Sequence, residues 1–204
     1  AFLKKFLEPL TVSLQDKIVV SAVKGIIPGD YLTIVEHMNR FYDVSEGEIL
    51  IDGLPVYDNP QAKELFFYIS DDQYYFPNST PKELGAFYKT YYPSFDTERF
   101  CMLLDRIDLP ANRKIRTFSK GMKKQLSILL GICAQTEYLF CDETFDGLDP
   151  VMRQAIKALF IQEMAERNFT PVIASHNLRE LEDVCDHVGI MNKGKVIIER
   201  SLTE

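Results

Sequence analysis

The sequence predicts an α/β domain with a mostly parallel β-sheet, and the placement of its short apolar runs supports this prediction. One such run, residues 138–141, ends abruptly in the two acids Asp142 and Glu143. A second run, residues 172–174, also stops at polar residues. Apolar runs this short, with turn residues after them, are typical of buried parallel strands rather than helices. Between the two runs, Pro150 begins a segment that is predicted as a helix to about residue 168.

Length, charge and cysteine usage narrow the class of protein. At 204 residues the chain suits one large domain, or a core with an inserted subdomain. Its net charge of −7 argues against non-specific binding to nucleic acid. No apolar run approaches the roughly 18 residues of a membrane span, and no signal peptide is visible. The four cysteines are scattered without a C-x-x-C pair, which favours buried thiols over a zinc site or disulfides.

The two acids after the first apolar run are candidate functional residues. Open α/β sheets bind ligands at the carboxyl ends of their strands, which is where Asp142 and Glu143 lie. An aspartate at this position can hold Mg²⁺, usually through water. The adjacent glutamate points to the other side and can polarise a water. If these two acids stood without other motifs, an ordinary polar strand end would be the better interpretation. The surrounding motifs favour a functional role instead.

Two further positions suggest that the site binds an anion. Ser119 and Gly121 open a helix predicted over residues 122–134, and a serine N-cap with free N–H groups behind it forms an anion site. Gly121 would let a phosphate approach the backbone, and Lys120 adds a positive charge. A capped helix with a basic first turn is the alternative. His176 follows the second apolar run, where a lone histidine is more often structural than catalytic.

The segment between residues 80 and 118 is predicted to be helical. Thr80, Pro81 and Glu83 form a helix-start pattern, with a capping residue, a proline at the first position and a glutamate three residues after the cap. Asp96 is predicted to cap a second helix. The aromatic residues of this segment are mostly expected to pack in a core. Exposed aromatic side chains that grip a partner are expected among a set of four: Tyr74, Tyr75, Phe76 and Phe87.

Taken in order, these motifs resemble the ATP-binding cassette (ABC) ATPase family. FSKGMKKQ at residues 118–125 resembles the family's signature motif, in the variant common in bacterial exporters of peptides and antibiotics. CDETFDGLDP at residues 141–150 resembles the Walker B strand, catalytic glutamate and D-loop, and ASHN at residues 174–177 resembles the switch-histidine loop. Residues 182–196 resemble the closing strands. The resemblance covers nearly the whole chain, and four motifs in the right order and spacing are a specific signal.

The resemblance implies a fold, cofactors and partners. It implies a single domain over residues 1–204 with a P-loop NTPase-type sheet, an N-terminal antiparallel β region and a helical subdomain. The core would comprise residues 1–75 and 122–204, with the helical subdomain inserted at about residues 76–121. The cofactors would be ATP and Mg²⁺. Two copies, or this chain and another ABC ATPase, would bind ATP head to tail and drive a separate transmembrane permease. The chain would lie in the cytoplasm on the inner face of the cell membrane and would not bind nucleic acid.

The resemblance also assigns roles to residues. Asp142 would hold Mg²⁺, Glu143 would act as general base or orient the attacking water, and His176 would stabilise the γ-phosphate. The opposite subunit would close each site through its signature motif and D-loop, with Ser119, Lys120, Gly121 and Asp149.

The family's Q-loop glutamine has two candidate positions. Aligned on Phe76 and Pro77, its place is taken by Asp71, while Gln73 lies two residues later. An aspartate could serve as an oxygen ligand to the metal. Both Asp71 and Gln73 are therefore candidates, and a polar turn with surface tyrosines is the alternative.

One family motif is missing from the sequence. The Walker A loop, G-x-x-x-x-G-K-[ST], should follow the strand predicted at residues 31–34, but the chain runs directly into residues that resemble the later part of the following helix. The interval from Gly29 to Gly47 is short by about a dozen residues. Either the loop has been deleted, or a mobile loop is missing from the printed sequence. The second explanation is favoured, because a domain without ATP would have less reason to keep the other motifs together.

Two rival functions follow from these observations. If the loop has been deleted, the chain is a catalytically inactive ABC-type domain that binds or scaffolds. Alternatively, it is a soluble ABC ATPase that acts on ribosomes or DNA. Proteins of that second kind usually carry two cassettes or a long coiled-coil insertion, and neither is visible in this sequence. The aromatic residue that usually stacks on adenine cannot be identified either.

Overall fold

The computed structural model describes residues 19–23, 50–56, 58–71, 73–175, 185–192 and 195–201. The strands are β1 (Val19–Val23), β2 (Leu50–Ile51), β3 (Leu54–Pro55), β4 (Phe66–Ile69), β5 (Tyr138–Asp142), β6 (Thr170–Ser175), β7 (His187–Asn192) and β8 (Lys195–Ser201). The helices are α1 (Pro60–Glu64), α2 (Pro81–Tyr91), α3 (Thr97–Arg106), α4 (Lys120–Cys133) and α5 (Pro150–Glu166). A short 3-10 turn, Ile115–Thr117, precedes α4.

Six strands form one mixed sheet in the order β4-β5-β6-β1-β7-β8. Neighbouring strands from β4 to β7 run parallel, and β7 and β8 form an antiparallel pair at one edge. The predicted α/β fold class, with a mostly parallel sheet and antiparallel strands, is therefore confirmed. Cys141 pairs with Ile69 on β4, and Asp142 pairs with Ala174 on β6. The carboxyl ends of β4, β5 and β6 therefore lie side by side.

The N-terminal strand differs from the expectation. The family resemblance implies an N-terminal antiparallel β region, but β1 lies inside the main sheet and is parallel to both of its neighbours, β6 and β7. Its sequence, Val-Val-Ser-Ala-Val, is compatible with this place, because interior parallel strands read as nearly continuous apolar runs. Antiparallel pairing is described instead for the small hairpin of β2 and β3.

Helix α4 covers the sheet at β4 and β5, and its sequence explains how closely it packs. Residues 126–133 of the helix are all buried, so this stretch is apolar around nearly its whole circumference, as expected for a helix inside a core. Gly131 lies where a side chain would not fit, since a Cβ atom there would be 2.6 Å from Leu139 Cδ1. The glycine therefore sets the distance between the helix and β5.

The helical segment after β4 is built largely as predicted. Thr80 and Glu83 form a reciprocal capping box at the start of α2, and Asp96 caps α3 by accepting from the backbone N–H of Arg99 at 2.9 Å. The Tyr88 ring packs 5.2 Å from the ring of Phe67 on β4, measured between ring centroids. The short helix α1 was not predicted. Among the described residues, no helix combines the length and apolar character needed to cross a bilayer.

Candidate functional site

The two acids predicted as functional lie at the carboxyl end of β5, at the edge shared with β4. The half-buried carboxylate of Asp142 accepts a hydrogen bond from the backbone N–H of Asp71, just beyond the end of β4. Burial raises the pKa of Asp142 to about 6, and the negative charges of Glu143 and Asp71 add to the rise. The hydrogen bond from Asp71 and the nearby charge of Lys124 oppose it. The site therefore concentrates negative charge in a partly desolvated corner.

Glu143 adopts an unusual backbone conformation that its neighbours hold in place. Its φ of +45° lies in the left-handed region, which a residue with a side chain enters at some cost in energy. Its N–H donates to the Ala174 carbonyl on β6 at 3.0 Å, and its carbonyl accepts from the N–H of Asp146 at 3.2 Å. The same carbonyl accepts from Lys124 Nζ at 2.6 Å. Strained conformations of this kind are concentrated at functional sites.

Lys124 was not predicted as a site residue, yet it reaches the centre of the site. Its side chain is only 6% exposed, and its Nζ lies 2.9 Å from Asp71 Oδ1. The exposed side chain of Lys120 lies farther away, at 3.9 Å from the same oxygen. These residues line a cavity of about 300 Å³, whose wall also includes Gln73.

Of the two candidates for the Q-loop position, Asp71 is the one that contacts Asp142. The Gln73 side chain hydrogen-bonds to Tyr88 of α2 instead. Burial raises the pKa of Tyr88, and this hydrogen bond offsets part of the rise. Asp71 and Asp142 supply the oxygen atoms that Mg²⁺ prefers. The described residues contain no group of three or more His, Cys, Asp or Glu side chains arranged around a metal position. A magnesium ion held here would therefore take further ligands from water and phosphate, as Mg²⁺ usually does.

The start of α4 has the features of an anion-binding helix terminus. Ser119 caps the helix, and its Oγ accepts from the backbone N–H of Met122 at 3.2 Å. Ser119 and Lys120 are exposed. A Cβ atom at Gly121 would lie 3.5 Å from the carbonyl oxygen of Gly147, so the helix start approaches the turn after β5. Free N–H groups and a positive helix end at this place favour a negatively charged ligand.

The turn after β5 leads directly into α5. Gly147 has a φ of +74°, which a glycine adopts at little cost. Asp149 then caps α5, accepting from the backbone N–H of Met152 at 2.9 Å, and its side chain is exposed. The predicted start of this helix at Pro150 is confirmed. Asp149 therefore lies on the surface, two residues after Gly147, whose carbonyl approaches Gly121.

Two predicted parts of the site lie outside the described residues. His176 directly follows β6, which ends at Ser175, and the structure does not describe it. The interval from Gly29 to Gly47, where the Walker A loop is expected, is also outside the described residues.

The four aromatic residues expected to include exposed ones are all described. Tyr74, Phe76 and Phe87 are 78%, 49% and 39% exposed. Tyr75, the fourth member of that set, is half-buried and donates to the Lys123 carbonyl oxygen at 2.8 Å.

A mostly parallel α/β sheet with acids at the carboxyl ends of its strands, beside a capped and exposed helix start, is typical of nucleotide-binding α/β proteins. The sequence model of the ABC transporter family matches residues 33–146, more than half of the chain. The chain belongs to the ABC transporter family.

Individual relatives agree with this assignment. The chain is 30% identical to the ABC transporter ATP-binding protein YtrB of Bacillus subtilis over 172 residues, 84% of this chain and 59% of YtrB. It is 42% identical to the bacitracin transport ATP-binding protein BcrA of Bacillus licheniformis over 82 residues, 40% of this chain and 27% of BcrA. The chain thus spans less than two thirds of the length of these relatives. The solved ATP-binding subunit of an ABC transporter has the same fold, with a TM-score of 0.81 at 22% identity, covering 92% of this chain and 79% of that one.

Proposed function

We propose that this chain is the ATP-binding subunit of an ABC transporter and that it hydrolyses MgATP. The observation that carries the proposal is the group of acids at the end of β5. Asp142 contacts Asp71 there, and three hydrogen bonds hold the backbone of Glu143. Family membership supplies the substrate class, and these acids supply the groups that phosphoryl transfer to water requires.

In the proposed reaction, Asp142 and Asp71 would hold the Mg²⁺ that accompanies the nucleotide. Mg²⁺ bound there would neutralise charge that develops on the transferred phosphate. Glu143 orients the attacking water and accepts its proton. By the family resemblance, His176 would stabilise the γ-phosphate.

We further propose that hydrolysis takes place between two ATP-binding subunits, either two copies of this chain or this chain and another ABC ATPase. Ser119, Lys120 and Gly121 are exposed or half-exposed at a helix start that favours anions, and Asp149 is exposed nearby. This surface would close the nucleotide site of the opposite subunit. The dimer would close when ATP binds and reopen after hydrolysis, and a transmembrane permease would convert that cycle into transport.

The permease would bind the helical segment, which we propose is a subdomain at about residues 76–121, inserted into a core of residues 1–75 and 122–204. The supporting feature is a surface cluster of four aromatic rings, which we call the aromatic patch. Neighbouring rings lie 6.2, 5.4 and 4.9 Å apart between centroids, and the patch consists of Tyr74, Phe76, Phe87 and Tyr91. Exposed apolar surface of this kind marks protein interaction sites. The subunit would therefore lie on the inner face of the cell membrane, and the name of BcrA, a bacitracin transport ATP-binding protein, favours transport of a compound like bacitracin.

The proposal is tested with Glu143→Gln, which keeps the size of the side chain and removes its basicity. The variant should bind ATP as the wild type does, form a dimer that ATP stabilises, and lose at least about 100-fold in turnover. Size-exclusion chromatography and a phosphate-release assay measure these results. Glu166→Gln is the matched control, because Glu166 is exposed at the far end of α5. Wild-type turnover in Glu143→Gln would refute the role of Glu143.

A catalytically inactive scaffold remains the rival function, and the missing Walker A loop is the observation that favours it. Trypsin should cleave after Lys24 and Arg40, so a continuous chain yields one peptide of residues 25–40. Detection of that peptide in the protein purified from its source would establish the deletion and support the scaffold. Longer peptides, with about a dozen additional residues in this interval, would support the ATPase.

A further inference from the structure

The buried lysine of α4 has no role in the mechanism described so far. Lys124 is 6% exposed, and its Nζ contacts the Glu143 carbonyl oxygen at 2.6 Å and Asp71 Oδ1 at 2.9 Å. Burying an ammonium group is costly unless its charge is paired and its donors are used. Here one ammonium group joins Asp71, two residues beyond β4, to Glu143, the residue after β5. These are the two residues that flank the Asp142 carboxylate.

The hydrogen bond from Lys124 to Glu143 acts on the strained backbone of Glu143. Glu143 has a φ of +45°, so its carbonyl turns away from the sheet and towards α4 instead of continuing the strand. An ammonium donor at 2.6 Å stabilises this orientation electrostatically, because hydrogen bonds from charged donors are about twice as strong as neutral ones. The backbone orientation in turn sets the direction in which the Glu143 side chain leaves the chain.

The contact with Asp71 controls the other side of the site. The Asp71 carboxylate is 44% exposed, so without a partner it could adopt several orientations in solvent. Lys124 extends from a helix that is buried against the sheet, so the cationic partner of Asp71 is held in a fixed position. The backbone N–H of Asp71 meanwhile donates to Asp142. The ammonium group therefore restrains two neighbours of the metal-binding carboxylate at once.

We propose that Lys124 is a positioning residue for ATP hydrolysis, which holds the Glu143 backbone and the Asp71 carboxylate in the geometry that the reaction requires. The proposal rests on the proposed ATPase function. Lys124 does not touch the reacting atoms. It affects the reaction by setting the direction of the Glu143 side chain and the position of the Asp71 carboxylate.

The test variant is Lys124→Met, which removes the ammonium group and keeps most of the side-chain volume. The fold should tolerate this change, because Asp71 is partly exposed and can be hydrated, and the Glu143 carbonyl keeps its bond from Asp146. We expect kcat to fall by about 10- to 100-fold, since small misplacements of catalytic groups have effects of this size. KM for ATP should change by less than about threefold.

Lys82→Met is the matched control, since it removes the same charge from an exposed position at the start of α2 that does not line the cavity around Lys124. It should keep kcat within about twofold of the wild type. Lys124→Arg, which restores a buried cation with donors, should recover part of the rate lost in Lys124→Met. If Lys124→Met does not fold, Lys124→Gln is measured in its place with the same expectations.

Hydrogen exchange gives a readout that does not depend on activity. Peptides that contain residues 141–148 and 66–73 should exchange faster in Lys124→Met than in Lys82→Met, while the rest of α4 stays protected. A loss of protection throughout the domain, with kcat unchanged per folded molecule, would show that Lys124 only stabilises the fold and would overturn the proposal.

The outcomes also separate this inference from the proposed function. If the wild type hydrolyses ATP, Glu143→Gln does not, and Lys124→Met keeps the wild-type kcat, only the positioning role fails. If the wild type itself does not hydrolyse ATP, the proposed function fails. In that case, local loosening at residues 141–148 would still establish the structural part of the inference, and its absence would refute that part too.

Discussion

The backbone N–H of Asp71 donates a hydrogen bond to the carboxylate of Asp142, across the edge where β4 and β5 end side by side. Burial of Asp142 raises its pKa to about 6, and the negative charges of Glu143 and Asp71 add to the rise. The hydrogen bond from Asp71 opposes it. Perturbed carboxylates of this kind are typical of functional sites, and a bound cation would relieve the repulsion.

Asp142→Asn should therefore make the chain more stable at neutral pH in the absence of Mg²⁺ and nucleotide. The amide keeps the shape and can still accept the Asp71 hydrogen bond, but it carries no charge. A pKa rise from 3.8 to about 6 corresponds to about 3 kcal/mol at most, which partial exposure reduces to about 1–2 kcal/mol. For a chain of this size we expect the Tm to rise by roughly 3–6 °C at pH 7.5.

The pH dependence of this stabilisation has a definite sign. Because the folded-state pKa of Asp142 is raised, the penalty is complete above about pH 6 and disappears as the pH falls towards the ordinary value of 3.8. The Tm difference between Asp142→Asn and the wild type should thus shrink steadily from pH 7 to pH 4.5. In the presence of MgATP, the Tm should rise more for the wild type than for the variant. A variant less stable than the wild type at pH 7.5 would contradict this account of the charge.

Much of this structure could be predicted from local sequence, because the signals are local. The caps at Thr80, Asp96 and Ser119 depend on a side chain and the N–H groups two or three residues later, and each is found where the sequence indicated. The strand ending at Asp142 and the acids after it were equally visible. Short apolar runs and capping residues carry their structural information within a few positions.

Lys124 and the strand β1 could not be predicted in the same way. In the sequence, Lys124 belongs to a basic first turn of a helix, which normally faces solvent. It is buried where its ammonium group meets the Glu143 carbonyl after β5 and the Asp71 carboxylate beyond β4. The neighbours of β1 in the sheet are likewise separated from it by more than 140 residues, so no local pattern specifies the pairing.

Gly121→Ala should separate stability from function. A Cβ atom at Gly121 would lie 3.5 Å from the nearest atom outside its chain neighbours, which is ordinary van der Waals contact. The free energy of unfolding should therefore change by less than about 0.5 kcal/mol. If the start of α4 closes the nucleotide site of the opposite subunit, the added methyl group obstructs the phosphate, and ATP-dependent dimerisation and turnover should fall at least about tenfold. Equal activity in both proteins would contradict this role of the helix start.

Gly131→Ala, by contrast, should lower the free energy of unfolding. Its Cβ atom would lie 2.6 Å from Leu139 Cδ1 and 3.3 Å from side-chain atoms of Ile69 and Phe67, all in the closely packed core. Overpacking of this degree usually costs about 1–3 kcal/mol. Chemical unfolding of Gly131→Ala and Gly121→Ala under the same conditions compares an added methyl group inside the core with one at the site. A Gly131→Ala protein as stable as the wild type would mean that α4 can move away from β5.

The fully buried carboxylate of Glu163 should be more important for stability than for activity. It accepts from the guanidinium group of Arg99 on α3 and from Arg167 Nε at 2.8 Å, and Arg167 also donates to the Thr136 carbonyl at 2.6 Å. Glu163→Ala leaves two largely buried guanidinium groups without their carboxylate, so we expect a loss of about 3–5 kcal/mol in urea unfolding. Glu166→Ala, an exposed change one turn further along α5, should stay within about 0.5 kcal/mol. Because Thr136 precedes β5 at the end opposite Asp142, turnover per folded molecule should be unchanged at low temperature. A loss of turnover without a loss of stability would show that this buried pair influences the site along β5.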